Sequence, residues 1–135
     1  MNGNSSRRIQ VDSEGDIVTV RRKIRDAAKE LGFGITDVTR IVTAASELTR
    51  NIYLYAGSGE VVWKAVDSRG GAGLEIVFED RGPGIEDVEL ALQEGYTTSG
   101  GLGLGLPGAK RLMDEMEIET EEGKGTRVTV RKWRR

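Results

Sequence analysis

The first residues that could do chemistry are Glu47 and Asn51, which stand four positions apart in a segment with helical periodicity. At about 100° per residue, their common direction lies roughly 110° from the centre of the apolar stripe, at the edge of the buried face. A carboxylate beside an amide suits a divalent cation and a proton acceptor. Glu and Asn at this spacing are also common on ordinary helix surfaces, so the pair alone leaves both interpretations open.

A second carboxylate, Asp80, directly follows a strand pattern and begins the run Asp-Arg-Gly-Pro-Gly, which contains Gly82 and Gly84. An acid at a strand end can accept a hydrogen bond from an exocyclic amine, while glycines let a flat ring lie against the backbone. The alternative is a simple turn, because Gly-Pro-Gly is also turn chemistry.

Glycine is enriched, with 19 in 135 residues and eight of them between positions 82 and 108. The densest stretch holds Gly101, Gly103 and Gly105 just before a helical pattern. Loop N–H groups and a helix N-terminus together make an anion site that suits phosphates. No strand directly precedes this stretch, which argues against the dinucleotide-binding fingerprint. Residues 123–126, Gly-Lys-Gly-Thr, are not a P-loop because Gly follows the lysine, and they are interpreted as a turn before the last strand.

Hydrophobic periodicity indicates the elements that must position these residues. Two helices are predicted in the first half of the chain, one from Asp16 as N-cap to about Leu31 and one from Thr36 or Asp37 to about Ala56. The other predicted elements are strands over 7–11, 60–66 and 74–79, a helix over 87–93, a Gly-rich loop over 94–105, a helix over 106–115 and strands over 116–120 and 126–133. Helices on one face of a mixed, mostly antiparallel sheet make a two-layer α+β sandwich.

Composition limits the chemistry further. The chain suits a single domain, predicted over residues 7–135 after a disordered segment 1–6. It contains neither histidine nor cysteine, which excludes a thiol nucleophile, a Cys/His zinc site and a Ser-His-Asp triad. The net charge of −2 argues mildly against nucleic-acid binding. With no apolar run of membrane-spanning length and no signal-peptide pattern, we expect a cytoplasmic location.

The order of the four boxes, Glu-x-x-x-Asn, Asp-x-Gly-x-Gly, Gly-x-Gly-x-Gly and Gly-x-Gly-Thr, resembles the ATP-binding fold of the gyrase, Hsp90, histidine-kinase and MutL superfamily, the GHKL or Bergerat fold. The resemblance covers about residues 7–133. In finer detail the chain is similar to the RsbT-type serine/threonine switch kinases of the bacterial stressosome. The similar segments are residues 47–57, 79–85, 97–103, 105–108 and 110–115.

The resemblance implies a role for each candidate residue. Asn51 would hold Mg²⁺ against the nucleotide phosphates, and Glu47 would be the catalytic base that accepts the substrate hydroxyl proton. Asp80 would bind the adenine amino group, with Thr126 beside the adenine and its bound water. The glycines implied to shape the nucleotide site are Gly82 and Gly84 in the adenine pocket and Gly101, Gly103 and Gly105 in the lid and phosphate cradle.

The resemblance also implies partners. Kinases of this type use ATP and Mg²⁺ to phosphorylate a STAS-domain scaffold protein on Ser or Thr, then leave it and activate a PP2C-type phosphatase. Neither a nucleic acid nor a membrane is an expected partner. The alternative is a nucleotide-regulated, anti-sigma-factor-type binding module of the same fold. A histidine-kinase catalytic domain is disfavoured because the chain has no phosphoacceptor histidine.

The chain departs from the wider superfamily at two places. Tyr55 stands four residues after Asn51, where histidine kinases often carry His or Lys. The predicted lid, residues 94–105, contains no Lys or Arg. A cation for the γ-phosphate would therefore come from Arg81, from Lys110 or from a partner protein.

Overall fold

The computed structural model of the protein describes residues 6–68, 70–84 and 106–134. The helices and strands are, in chain order, β1 Arg7–Val11, α1 Gly15–Glu30, α2 Ile35–Tyr55, β2 Gly59–Ser68, β3 Gly71–Asp80, α3 Leu106–Leu112, β4 Glu115–Glu121 and β5 Gly125–Trp133. The helix predicted over 87–93, the Gly-rich loop over 94–105 and residues 1–5 of the predicted disordered segment lie outside the described residues.

The strands form one sheet in the order β1-β2-β3-β5-β4. Central strand β3 pairs with β2 over its whole length and with β5 from Gly73 to Asp80. In this register Asp80 stands opposite Gly59 on one side and Thr126 on the other. The predicted α+β class is confirmed, and every pairing between the described strands is antiparallel rather than mixed.

The core lies between the helices and one face of the sheet, because only that face carries alternating apolar side chains. On β3, Ile76 and Phe78 are buried in the core, whereas Glu75 lies on the opposite face and pairs with an arginine of β5. Ile24 of α1 and Ile41 of α2 are fully buried in the same cluster. Among the helices of the described segments, none combines the length and apolar character that a bilayer crossing needs.

The opposite face of the sheet carries charges in place of apolar side chains. Arg127 of β5 pairs with Glu79 of β3 at 2.9 Å and lies 3.7 Å from Glu119 of β4. Arg131 of β5 likewise forms ion pairs with glutamates of both β3 and β4. Exposed pairs of this kind contribute little stability each, so their main effect is to keep the uncovered face polar.

The helices begin earlier than the sequence predicts. Asp16 is not the N-cap of α1, because the helix begins at Gly15 and Asp16 lies within its first turn. From there its carboxylate accepts hydrogen bonds from the backbone N–H groups of Asp12 and Ser13, at 2.9 and 3.0 Å. The acid thus still supports the helix start, but from inside it. Helix α2 begins at Ile35, ahead of both predicted caps.

A buried lysine anchors two helices to the sheet. Lys132 of β5 is 5% exposed, and its ammonium donates a hydrogen bond to the carbonyl of Leu112, the last residue of α3, at 2.8 Å. The same group lies 3.6 Å from Asp114 and 3.7 Å from Asp37, in the first turn of α2. One cation therefore satisfies a terminal carbonyl of α3 and balances two carboxylates.

We expect Lys132→Met to lower the free energy of unfolding by about 1–3 kcal/mol, because the Leu112 carbonyl loses its buried donor and the two carboxylates lose a nearby cation. Urea denaturation measures this change. Lys124→Met is the matched control, since Lys124 pairs with Glu121 at 3.4 Å but is 73% exposed. A control change as large as that of Lys132→Met would mean that Lys132 contributes no more than a surface lysine.

Candidate functional site

A pocket lies where α2, β3, β5 and α3 meet, next to the loop that leaves β3. Its walls are mostly apolar, and its polar side chains come from Asn51, Tyr55, Asp80 and Thr126. The residues that line it are Leu48, Asn51, Ile52, Tyr55, Phe78, Asp80, Pro83, Gly84, Leu106, Thr126 and Val128. The fold thus brings four candidates from the sequence, Asn51, Asp80, Gly84 and Thr126, into one cavity.

Asp80 ends β3 and is half-buried in the pocket wall. The Gly82 N–H donates a hydrogen bond to its Oδ1 at 2.8 Å, and the Thr126 N–H donates to the same carboxyl group. Burial raises the pKa of Asp80 above its ordinary value of 3.8, the two N–H donors oppose this rise, and the charge of Glu79 adds to it. Backbone groups therefore hold this carboxylate in a partly apolar setting, where a hydrogen bond from a ligand is strengthened.

Gly82 and Gly84 allow the loop after β3 to pack closely. A Cβ on Gly82 would lie 2.7 Å from the Cβ of Ala56, at the end of α2. Gly84 has φ +81°, and a Cβ there would lie 2.6 Å from the carbonyl oxygen of Glu121. Only Gly84 lines the pocket itself. Gly82 acts through its N–H on Asp80 and by letting the loop approach α2.

Gly125 belongs to the Gly-x-Gly-Thr box, but the sequence gives it no role of its own beyond a turn. Its φ is +106°, a conformation that favours glycine, and a Cβ here would collide with the backbone carbonyl of Asp80. Glycine at the first position of β5 therefore lets this strand close against the end of β3. The signal for this role was the Gly-x-Gly-Thr box, in which Gly125 directly precedes Thr126.

Thr126 stands opposite Asp80 and lines the pocket. Its hydroxyl lies 3.0 Å from the hydroxyl of Thr120 on β4. The Thr120 hydroxyl also donates a hydrogen bond to the carbonyl of Gly125 at 3.0 Å. Strand β4 thus fixes the Thr126 side chain beside the carboxylate.

Asn51 is the polar group that α2 contributes to the pocket. It lies in the last two turns of the helix and is half-buried. Its side-chain amide makes no hydrogen bond to any other residue in the described ranges. An amide oxygen without a protein partner in a pocket is available as a ligand for a hard cation.

Glu47 lies one turn before Asn51 but is not among the residues that line the pocket. Its side chain is 41% exposed, and its Oε2 lies 3.5 Å from Nη1 of Arg50. A pair this long and exposed stabilises the fold very little. The structure therefore separates Glu47 from the pocket candidates and leaves its carboxylate accessible to a group that arrives from solvent.

The apolar walls come from residues that the sequence analysis did not select. Phe78 and Val128 are cross-strand partners, two residues before Asp80 and two after Thr126. Because side chains alternate across a strand, each shares a face with its polar neighbour. Counting by two along the strands, from Asp80 and from Thr126, would have found both residues. Tyr55, which the sequence singles out at its position after Asn51, follows the pocket amide by one helical turn and also lines the pocket.

The predicted phosphate-binding glycines Gly101, Gly103 and Gly105 lie outside the described residues, so their role stays a prediction. The residue that follows them in sequence, Leu106, begins α3 and lines the pocket.

Taken together, the pocket offers an apolar cavity, a carboxylate that can accept from an amine, and an amide oxygen that can bind a cation. A flat heteroaromatic base has the shape and polarity for the apolar part, because its faces are apolar and its edge carries donors.

Comparison with known proteins identifies the class. Residues 36–135 match the family of histidine kinase-, DNA gyrase B- and HSP90-like ATPases. Over 127 residues the chain is 53% identical to the serine/threonine-protein kinase RsbT of Bacillus subtilis strain 168, a match covering 94% of this chain and 96% of that protein. It is also 32% identical over 102 residues to an anti-sigma F factor of Clostridium kluyveri, covering 73% of this chain and 72% of that protein.

A solved structure has the same fold. The RsbU and RsbW domains of a Mycobacterium tuberculosis protein superpose with a TM-score of 0.66 at 24% identity, covering 96% of this chain and 32% of that one. The family match and the fold together define an ATPase domain of the GHKL class. Within the histidine kinase-, DNA gyrase B- and HSP90-like ATPase family, the chain belongs to the RsbT-type serine/threonine-protein kinases.

We expect Asp80→Asn to abolish the ATP-dependent rise in melting temperature in Mg²⁺ buffer, because the uncharged amide is a weaker acceptor than the carboxylate and has one acceptor oxygen in place of two. An unchanged rise would contradict this role.

The same variant tests the raised pKa of Asp80. Between pH 3.8 and the raised pKa the folded state holds more protons than the unfolded state, so this group makes the fold less stable as pH rises. Without nucleotide, Asp80→Asn should therefore be at least as stable as the wild type at neutral pH. The difference should shrink as pH falls through that window, in urea titrations of both proteins. A variant that is much less stable at neutral pH would contradict the raised pKa.

We expect Gly125→Ala to weaken the fold and ATP binding together, because its Cβ would push Asp80 away from β5. Gly123→Ala is the matched control, since Gly123 also has a positive φ, +81°, but open space around it. The control should cost about 1–2 kcal/mol of unfolding free energy from backbone strain alone and keep ATP affinity. Urea denaturation and calorimetry separate the two, and equal effects would mean that Gly125 is needed only for its φ.

Proposed function

We propose that this chain is a cytoplasmic kinase that uses Mg-ATP to phosphorylate a STAS-domain scaffold protein on serine or threonine. Once released from the scaffold, it binds and activates a PP2C-type phosphatase. The observation that carries the proposal is 53% identity to the kinase RsbT over nearly the whole of both chains. The presence of Asn51, Asp80, Gly84 and Thr126 in one pocket supports it.

In this proposal Asp80 accepts a hydrogen bond from the adenine amino group. The Gly82 N–H, at 2.8 Å, keeps the carboxylate oriented before the nucleotide arrives. Phe78 and Val128 supply apolar contacts for the base, and Thr126 offers a hydroxyl beside the carboxylate. Preorganisation of this kind lowers the cost of ordering the site on binding.

Asn51 would hold the Mg²⁺ ion. Its amide oxygen is in the pocket wall and has no partner among the described residues, and Mg²⁺ commonly takes one or two protein ligands together with substrate phosphates. The metal, when bound, neutralises phosphate charge. Gly101, Gly103 and Gly105 are proposed to surround the phosphates with backbone N–H groups.

Glu47 is proposed as the base that accepts the proton of the substrate hydroxyl. Phosphoryl transfer depends mainly on positioning and charge neutralisation, so a chain without His or Cys can perform it. Arg81 lines a different groove, together with Gln10 and Ser58, and Lys110 does not line the pocket. We therefore propose that any further cation at the γ-phosphate comes from the bound partner.

A nucleotide-regulated anti-sigma-factor-type binding module is the second candidate. The 32% identity to an anti-sigma F factor favours it. In that case the chain would hold its partner tightly in the presence of nucleotide and transfer phosphate slowly or not at all. The two functions differ in their outcome, because a kinase leaves a phosphorylated partner whereas a binding module leaves a stable complex.

The deciding experiment incubates the chain with Mg-ATP and a purified STAS-domain protein of the same organism, and analyses that protein by mass spectrometry. A kinase adds phosphate to one Ser or Thr at rates that increase with ATP. Absence of phosphate on the STAS protein, with stable binding of a sigma factor instead, would favour the binding module.

We expect Glu47→Gln to keep ATP affinity and slow phosphate transfer by about 10²–10⁴-fold, the usual contribution of a general base. Glutamine keeps the size of the side chain and its acceptor oxygen but cannot take the proton. Glu117→Gln is the matched control, since Glu117 is also an exposed acid paired with an arginine, at 3.3 Å from Arg131, but it lies on the opposite face of the sheet. Transfer at the wild-type rate in Glu47→Gln would remove Glu47 as the base.

A further inference from the structure

One side of α2 exposes a row of side chains beside the pocket. The row consists of Thr43, Glu47, Arg50 and Leu54, spaced by four, three and four residues, and we call it the outer flank of α2. The side chains of Glu47 and Arg50 are 41% and 46% exposed, and Leu54 is 56% exposed. The flank therefore presents a carboxylate, a guanidinium and a large apolar group to solvent on consecutive turns.

Leu54 is aligned with Glu47. It follows by seven residues, which places it about 10 Å further along the helix and about 20° around it. A single exposed leucine needs no explanation by itself. Ile35 is also exposed, at 79%, but it lies about 120° around the same helix from Glu47. Only one of these two apolar side chains thus shares a direction with the candidate base.

We propose that the outer flank of α2 seats the phosphoacceptor segment of the protein substrate. This inference rests on the proposed kinase function. A protein kinase must bring a hydroxyl from another protein to its base, and Glu47 lies outside the nucleotide pocket on this flank. The acceptor Ser or Thr lies at Glu47, and an apolar side chain of the same segment packs on Leu54.

The helix geometry sets the spacing within the substrate. An extended chain advances about 3.3 Å per residue, so the 10 Å between Glu47 and Leu54 corresponds to about three residues. The segment therefore carries an apolar residue about three positions from its phosphoacceptor. A polar residue there would lose the contact with Leu54.

Arg50 is a positioning residue in this arrangement. Its guanidinium lies 3.5 Å from the carboxylate of Glu47, which biases the base toward one orientation. A guanidinium has five N–H donors, so most remain for carbonyl or carboxylate groups of the seated segment. Arg50 thus contacts both the base and the substrate chain.

The test measures how fast the Leu54→Asn variant phosphorylates the STAS-domain protein. We expect the KM for that protein to rise about tenfold, with kcat and the dissociation constant for ATP unchanged. Ile35→Asn is the matched control, because it removes an even more exposed apolar side chain from the same helix, one that faces a different direction. Calorimetric binding of each variant to the STAS protein, without ATP turnover, gives a second readout.

Equal KM values for Leu54→Asn and Ile35→Asn would overturn the docking surface. Weaker ATP binding in Leu54→Asn would overturn it as well, because Leu54 would then belong to the nucleotide site. A self-association of the chain that Leu54→Asn abolishes, with unchanged STAS binding, would assign the flank to a second copy.

The proposed function can fail separately. If the wild type binds the STAS protein without phosphorylating it and Leu54→Asn weakens that binding, the docking surface holds and the kinase function does not. If the wild type neither binds nor phosphorylates it, both fall.

Discussion

The contact between the ends of β3 and β5 is the one on which the rest of the site depends. There Asp80 and Thr126 stand side by side, and Gly125 leaves no atom between the strand and the carbonyl of Asp80. A half-buried carboxylate is unfavourable unless backbone donors hold it. The Gly82 N–H does so while the same glycine lets the loop approach α2. Close packing of backbone thus creates the polar centre of the pocket.

Helix α2 carries two candidate functional residues on different sides. Asn51 lies in the pocket, and Glu47, one turn earlier, lies outside it. This arrangement suits a reaction with two substrates of different size, because a nucleotide can enter a cavity whereas a folded protein can reach only an exposed surface. The proposed roles of the two residues follow that division.

Spacing and chemical type predicted much of this site. The sequence predicts Asn51, Asp80 and Thr126 because each stands at the end of an element or on the edge of an apolar stripe. At such positions the hydrophobic pattern indicates which way the side chain points. The apolar walls and the role of Gly125 were missed, because they depend on how separate elements pack. Asp16 was misplaced as a cap for a local reason: its carboxylate accepts from the N–H groups of two residues before the helix rather than from N–H groups of the first turn.

The pocket joins residues on two strands that are far apart in sequence, and this links ligand binding to the closure of the sheet. Any opening of β5 away from β3 separates Thr126 from Asp80 and removes the cavity. A ligand that binds only the closed form therefore adds its binding free energy to that of the ladder. Amide protons in both strands should then exchange more slowly in its presence, far beyond the residues it touches. A bound ligand would therefore make the central strands of the sheet more rigid.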